Sequence, residues 1–115
     1  MEDSILNTIK KMLGIDESDK SFDLDIITNI NSAFNVLKQL GVGPEEGFMI
    51  EDAMDEWEDY TDSIHLNDIK TYIYLKVRKV FDPPQNSTVM EALNSAINEL
   101  EWRINIEVDT DYNLN

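Results

Sequence analysis

Apolar side chains recur every three or four residues in four stretches of this chain, and this pattern constrains the fold most strongly. Such spacing places the apolar residues on one side of an α-helix. We predict helices over about residues 3–13, 24–40, 66–81 and 88–106. Gly14, Gly41 and the sequence Asp82-Pro83-Pro84 are suited to end the first three. The fold is therefore predicted to be all-α, a small bundle of about four helices.

Each predicted helix carries one stripe of core candidates. They are Ile5, Leu6, Ile9, Met12 and Leu13; Leu24, Ile27, Ile30, Ala33, Phe34, Val36, Leu37 and Leu40; Ile69, Tyr72, Ile73, Val77, Val80 and Phe81; and Val89, Leu93, Ile97, Leu100 and Ile104. The predicted N-caps are Asp3 or Ser4, Ser21 or Asp23, Asn67, and Asn86 or Ser87. A chain of 115 residues fits one domain. We expect a helical domain over residues 1–106 and a flexible acidic tail over 107–115.

The connection between the second and third predicted helices is the irregular part of the chain. Residues 43–68 hold ten acidic residues and no lysine or arginine. We expect a short extended piece at 48–50 and a short helical turn with Trp57 and Tyr60 on one side. These two aromatic residues are either local core or an interface surrounded by carboxylates. Trp102, which lies off the last stripe, either packs at the edge of the core or anchors a partner.

Net charge restricts the classes of partner. The chain has 24 acidic and nine basic residues, a net charge of −15. Nucleic-acid phosphates and anionic membrane surfaces are repelled by such a surface on average. No apolar run reaches the roughly 20 residues that a membrane span needs. Since cysteine is absent, no disulfide or Cys-ligated zinc site can form.

No residue pattern predicts catalysis or a cofactor. The acidic stretch from Asp16 fails the EF-hand pattern, because Ser21 and Ile27 stand where glycine and glutamate are required. The carboxylates of 51–62 are expected to form a solvated face, and His65 is the only histidine. No glycine-rich phosphate loop occurs. We therefore predict no enzyme activity, no metal and no cofactor.

The order of these parts resembles a known family over about residues 3–105. The matching pieces are Lys-Lys-Met-Leu-Gly-Ile-Asp at 10–16, Leu-Gly-Val-Gly-Pro at 40–44, the acidic connection around Trp57, Asp-Ile-Lys-Thr-Tyr-Ile-Tyr-Leu-Lys-Val-Arg at 68–78, Phe-Asp-Pro-Pro at 81–84 and Glu-Leu-Glu-Trp-Arg at 99–103. The chain is similar to the head–tail connector proteins of long-tailed phages and prophages, also called adaptor, DNA-packaging or head-completion proteins.

The resemblance implies a structural virion protein in the phage neck, made in the host cytoplasm. In this family a helical bundle assembles as a ring beneath the portal protein, usually of twelve copies. The isolated protein can be monomeric. The ring extends the DNA channel, which DNA passes without specific binding, and it docks a head-closure or tail protein. The resemblance also implies that the C-terminal segment, about 104–115, contacts the portal.

We expect the basic side of the third predicted helix to meet the acidic segment 51–62 of the next subunit in a ring. The candidate interface residues are Trp57, Tyr60, Lys76, Arg78, Lys79, Trp102, Arg103 and Tyr112. An alternative from another class is an acidic DNA mimic that inhibits a host DNA-binding protein. That alternative predicts a monomer or dimer with regularly spaced exposed carboxylates, whereas a connector predicts oligomers with the portal.

Overall fold

The structure is a computed structural model that describes residues 3–60 and 65–113. Its elements are α1 (Ile5–Met12), α2 (Asp23–Gln39), α3 (Trp57–Tyr60), α4 (Leu66–Phe81) and α5 (Ser87–Asn113). The all-α prediction is confirmed, since the described residues form no strand and only one isolated bridge, between Ser4 and Glu56. In the described part of the expected connection, residues 43–60 contain the single turn α3 and no other helix, and residues 66–68 already belong to α4.

Helix α4 lies at the centre of the bundle. It packs against both α2 and α5, and α1 contacts both α2 and α4. The tightest part of the core comes from side chains that are at most 1% exposed: Ile5, Ile9, Ile26, Ile30, Ala33, Leu37, Ile50, Ile69, Tyr72, Ile73, Val77 and Ile104. The Tyr72 hydroxyl donates to Glu101 Oε2 at 2.7 Å, which ties α4 to α5. Burial, reinforced by this carboxylate, raises the pKa of Tyr72.

Two of the predicted caps are confirmed. Ser4 Oγ accepts a hydrogen bond from Asn7 N at 3.2 Å at the start of α1. Asn86 Oδ1 accepts from the backbone N–H groups of Thr88 and Val89 at 2.8 and 3.2 Å at the start of α5. Each cap satisfies amide groups that have no partner inside the helix.

The other two cap predictions are wrong. Helix α2 begins after Phe22 rather than after Ser21, and α4 begins after His65 rather than after Asn67. Neither helix has a side-chain cap. Asp23 lies inside the first turn of α2, where its carboxylate pairs with a lysine from α1.

Four residues assigned to the core stripes are exposed. Met12, at the end of α1, is 39% exposed. Leu24 is 78% exposed because α2 turns Ile26, on the opposite face, toward the core. Val80, in the last turn of α4, is 67% exposed and lines a groove, whereas Val77 on the same helix is buried. Val89 is 46% exposed, since burial on α5 begins only at Leu93.

Helix α5 extends seven residues past the predicted end at Ile106. Val108 stands four residues after Ile104 and continues its stripe onto the core. Its Cγ1 lies so close to Gly41 that a β-carbon there would be 3.3 Å away. The side chains of 109–115 lie outside the described residues, so the flexible tail stays a prediction.

The segment between α1 and α2 is organised around a buried lysine. Lys10 is 1% exposed, and its ammonium donates to Glu17 O at 3.1 Å and Asp19 O at 2.7 Å. It also lies 2.8 Å from Asp23 Oδ1, an ion-pair contact, since that oxygen accepts no hydrogen bond of good geometry within the described residues. This arrangement places the chain's own cation in the stretch that had been considered for calcium.

Candidate assembly surfaces

The two aromatic residues of the acidic connection belong to the core. Trp57 is 3% exposed, and its Nε1 donates to Thr8 Oγ1 of α1 at 3.0 Å. Tyr60 is 5% exposed and packs its ring 4.6 Å from that of Phe34. Burial raises the pKa of Tyr60, whose hydroxyl has no hydrogen-bond partner among the described residues. Of the two interpretations given for these residues, local core or interface, the structure therefore supports local core for both side chains.

The acidic connection is held to the bundle at two further points. Asn31 of α2 pairs with the backbone of Ile50, donating to its carbonyl at 3.0 Å and accepting from its N–H at 2.8 Å. Lys70 of α4 places its ammonium 5.3 Å from the centre of the Trp57 ring, a cation–π contact. The connection is thus fixed against α2 and against the N-terminal part of α4.

Carboxylates within the connection shape a turn that projects one side chain outward. Asp55 Oδ2 accepts from the backbone N–H groups of Glu51 and Asp52 at 2.7 and 3.3 Å. Asp52 Oδ1 accepts from Met54 N at 2.8 Å. Met54 itself is 83% exposed, the most exposed large apolar residue in the described part of the chain. The turn therefore presents a methionine among carboxylates.

The C-terminal part of α4 has the opposite charge. Lys76 and Arg78 are half-buried and Lys79 is exposed. Arg78 Nη1 donates to the Tyr74 hydroxyl at 3.4 Å. None of the three cations forms an ion pair within residues 3–60 and 65–113.

The two charged regions stand at opposite ends of one helix. Lys70, beside the acidic connection, precedes the cluster of Lys76, Arg78 and Lys79 by six to nine residues. At about 1.5 Å of rise per residue, that places them roughly 9–13 Å apart along the α4 axis. One protomer thus presents an acidic surface near one end of α4 and a basic surface at the other.

A groove lies beside the basic end of α4. It has a volume of about 460 Å³ and is lined by Phe22, Asp25, Thr28, Asn29, Val80 and Phe81. The Phe22 and Phe81 rings meet edge to face at 5.4 Å, and Phe22 is 44% exposed. Sequence periodicity missed this site because Phe22 precedes its helix and Val80 had been assigned to the core.

A family comparison identifies the class of protein to which the chain belongs. The family model described as "Phage connector protein" matches residues 5–111, nearly the whole chain. The chain belongs to the phage connector protein family. No curated protein matches the chain, and neither does any solved structure. The predicted phage connector family and its helical bundle are therefore confirmed.

The outer face of α5 is a further candidate surface of this connector. Trp102 is 67% exposed and Ile106, one turn later, is 41% exposed. Arg103 pairs with Glu99 at 3.0 Å and lies 3.6 Å from Asp68 of α4. Trp102 is thus available to a partner, whereas Arg103 is engaged within the protomer. The side chain of Tyr112 lies outside the described residues.

A charged cluster joins the start of α4 to α5 in the connector. His65 Nδ1 lies 3.2 Å from Glu107 Oε2. Burial raises the pKa of Glu107, and the neighbouring Asp68 adds to this, while His65 and Arg103 oppose it. The cluster links α4 to α5. It could not be recognised from sequence, because His65 and Glu107 are 42 residues apart.

The described part of the connector contains no group of three or more potential ligands that could hold a metal ion. Asp16 and Asp19, the first residues considered for calcium, accept hydrogen bonds from Ser18 and Ser21. Those bonds lower the pKa of both carboxyls. None of the helices in residues 3–60 and 65–113 has the length and apolar character to cross a membrane.

Proposed function

We propose that this connector is a structural virion protein that forms a ring beneath the portal, extends the DNA channel and docks the next neck or tail protein. Beside family membership, the proposal rests on the absence of ion-pair partners for Lys76, Arg78 and Lys79 within the described residues. On a chain with 24 acidic residues, these cations have no carboxylate partner in the described structure. A neighbouring subunit can supply one.

The ring contact joins the basic end of α4 to the acidic connection, residues 51–62, of the next subunit. Because these surfaces stand at opposite ends of α4, the contact is head-to-tail. Contacts of that kind generate closed rings when the rotation between subunits closes. The family resemblance suggests twelve copies in the virion.

The remaining surfaces have roles in the same assembly. The C-terminal segment from about Ile104, beside exposed Trp102, contacts the portal. The surplus of carboxylates lines the channel and repels DNA phosphates, so that the duplex passes without being held. The protein therefore acts in the virion neck after synthesis in the host cytoplasm, without an enzymatic step.

Charge reversal tests the ring contact. The purified chain is mixed with the portal protein of the same phage, and the portals are imaged by electron microscopy for an added ring. Arg78→Glu with Lys79→Glu should abolish the ring, because two attractive contacts per interface become repulsive. Lys11→Glu with Lys20→Glu is the matched control, since it adds the same negative charge at two exposed lysines outside α4.

Two results would contradict the proposal. If the wild-type chain adds no ring to portals, the connector does not dock beneath the portal. If the Arg78 and Lys79 variant forms rings as readily as the control, the basic end of α4 is not the ring contact.

A further inference from the structure

We propose that Met54 of one subunit inserts into the groove of Phe22, Val80 and Phe81 on the next subunit of the ring. This inference rests on the proposed function and names the apolar centre of the ring contact. The occupant is a second copy of this chain, because the protomer presents both complementary halves.

Charge complementarity supports this pairing. Basic residues flank the α4 wall of the groove, since Lys76 stands one turn before Val80 on the same helix and Lys79 precedes it directly. The carboxylate lining the groove is Asp25, on the α2 wall. Around Met54, the exposed residues of the connection are Glu51, Asp52, Glu58 and Asp59. The lysines on the α4 side of the groove thus complement the carboxylates around Met54, with apolar groups between them.

The chemistry of methionine fits the groove. Its unbranched thioether fills irregular apolar spaces and makes favourable contacts with aromatic rings, here those of Phe22 and Phe81. The turn that carries Met54 is already fixed by hydrogen bonds to Asp52 and Asp55. Little conformational freedom is therefore lost when Met54 is bound.

Disulfide crosslinking tests the inference, and the absence of native cysteine removes background. Met54→Cys with Val80→Cys in one chain should give a ladder of covalent oligomers when rings form on portals and are oxidised. Head-to-tail contact makes each subunit both donor and acceptor, so the ladder should extend toward full ring size. Met12→Cys with Val89→Cys, two exposed positions outside the contact, is the matched control and should give no ladder.

The outcomes separate this inference from the proposed function. Rings without a Met54–Val80 ladder would overturn the inference and leave the connector function standing. A crosslink within one chain would also overturn it, because the two positions would then meet in one protomer. Dimers from either single variant would do the same, because identical positions would then meet across the interface. If even the wild-type chain forms no ring, the proposed function fails and the inference fails with it.

A second variant guards against distortion by the cysteines. In reductant, the double cysteine variant should form the same rings as the wild type. Met54→Ala should raise the protein concentration for half-maximal ring occupancy by roughly tenfold or more, because each interface loses the burial of one apolar side chain. An unchanged midpoint would count against insertion of Met54.

Discussion

Replacing Lys10 by methionine should destabilise this connector strongly. Methionine keeps most of the apolar stem and removes the ammonium. The change breaks the bonds to Glu17 O at 3.1 Å and Asp19 O at 2.7 Å, and the ion pair with Asp23 at 2.8 Å. Removing one member of a fully buried pair costs about 3–5 kcal/mol, and a hydrogen bond to a charged group contributes about 1.5–3 kcal/mol.

Solvent reduces the expected cost of Lys10→Met. Asp23 retains 22% exposure, so its carboxylate is partly hydrated after the lysine is gone. Glu17 and Asp19 are exposed, so their carbonyls can bind water instead. We therefore expect Lys10→Met to lower the free energy of unfolding by about 2–4 kcal/mol, from a total near 5–15 kcal/mol for a domain of ordinary stability. For this chain length, that corresponds to a fall in Tm of roughly 8–16 °C.

Urea and thermal unfolding, followed by circular dichroism, measure this loss. Lys11→Met is the matched control, because it removes the same charge from the adjacent, exposed lysine and should change stability by less than about 0.5 kcal/mol. Adding Asp23→Asn to the Lys10 variant should recover part of the loss, since the unpaired carboxylate is then removed. Equal stability of the Lys10 and Lys11 variants would refute the reasoning.

Two further predictions concern backbone strain and pH. Gly43→Ala should lower the free energy of unfolding in urea by about 2–4 kcal/mol, because φ is +87° and the new β-carbon would lie 2.6 Å from the packed Tyr60 ring. Gly14 has a φ of +81° but open space around it, so Gly14→Ala should lower the same free energy by only about 1–2 kcal/mol. Equal losses of unfolding free energy in the two variants would show that the Tyr60 side chain moves aside. Because burial raises the pKa of Glu107 above its ordinary value of 4.5, folding favours the protonated carboxyl. The contribution of Glu107 to the free energy of unfolding should therefore fall as pH rises from 4.5 through the pKa of the folded state. Glu107→Gln should remove this dependence, and urea midpoints that differ by the same amount at every pH would contradict it.

Helix positions could be predicted from sequence because they depend on local spacing and local stops. Helix α4 has the predicted bounds, since its apolar stripe and the Asp82-Pro83-Pro84 end are both contained within the segment. The end of α5 was placed too early because Val108, the next residue of its stripe, is surrounded by acidic residues that weaken the periodic pattern.

Features that depend on distant partners could not be predicted. The local sequence does not distinguish Lys10 from the adjacent Lys11, and the burial of Lys10 depends on carbonyls seven and nine residues later. Trp57 is buried in the core, and its indole N–H is paired there with Thr8, 49 residues away. No periodic pattern carries either relationship.

The same distinction between local and distant residues applies to the candidate surfaces. The unpaired cations at the end of α4 could be identified because they are close in sequence. The groove could not, because it joins Phe22, before α2, to Val80 and Phe81 at the end of α4. Only the fold brings these residues together.

The position of both proposed contact surfaces along a single helix has a geometric consequence. In the proposed ring, α4 would act as a rigid spacer, and the angle between neighbouring subunits would depend on its length and on the rotation between its two ends. One residue inserted between Lys70 and Lys76 would rotate the basic end by about 100° relative to the acidic connection. In the proposed ring, the diameter therefore depends on the geometry of this helix as well as on the residues that touch.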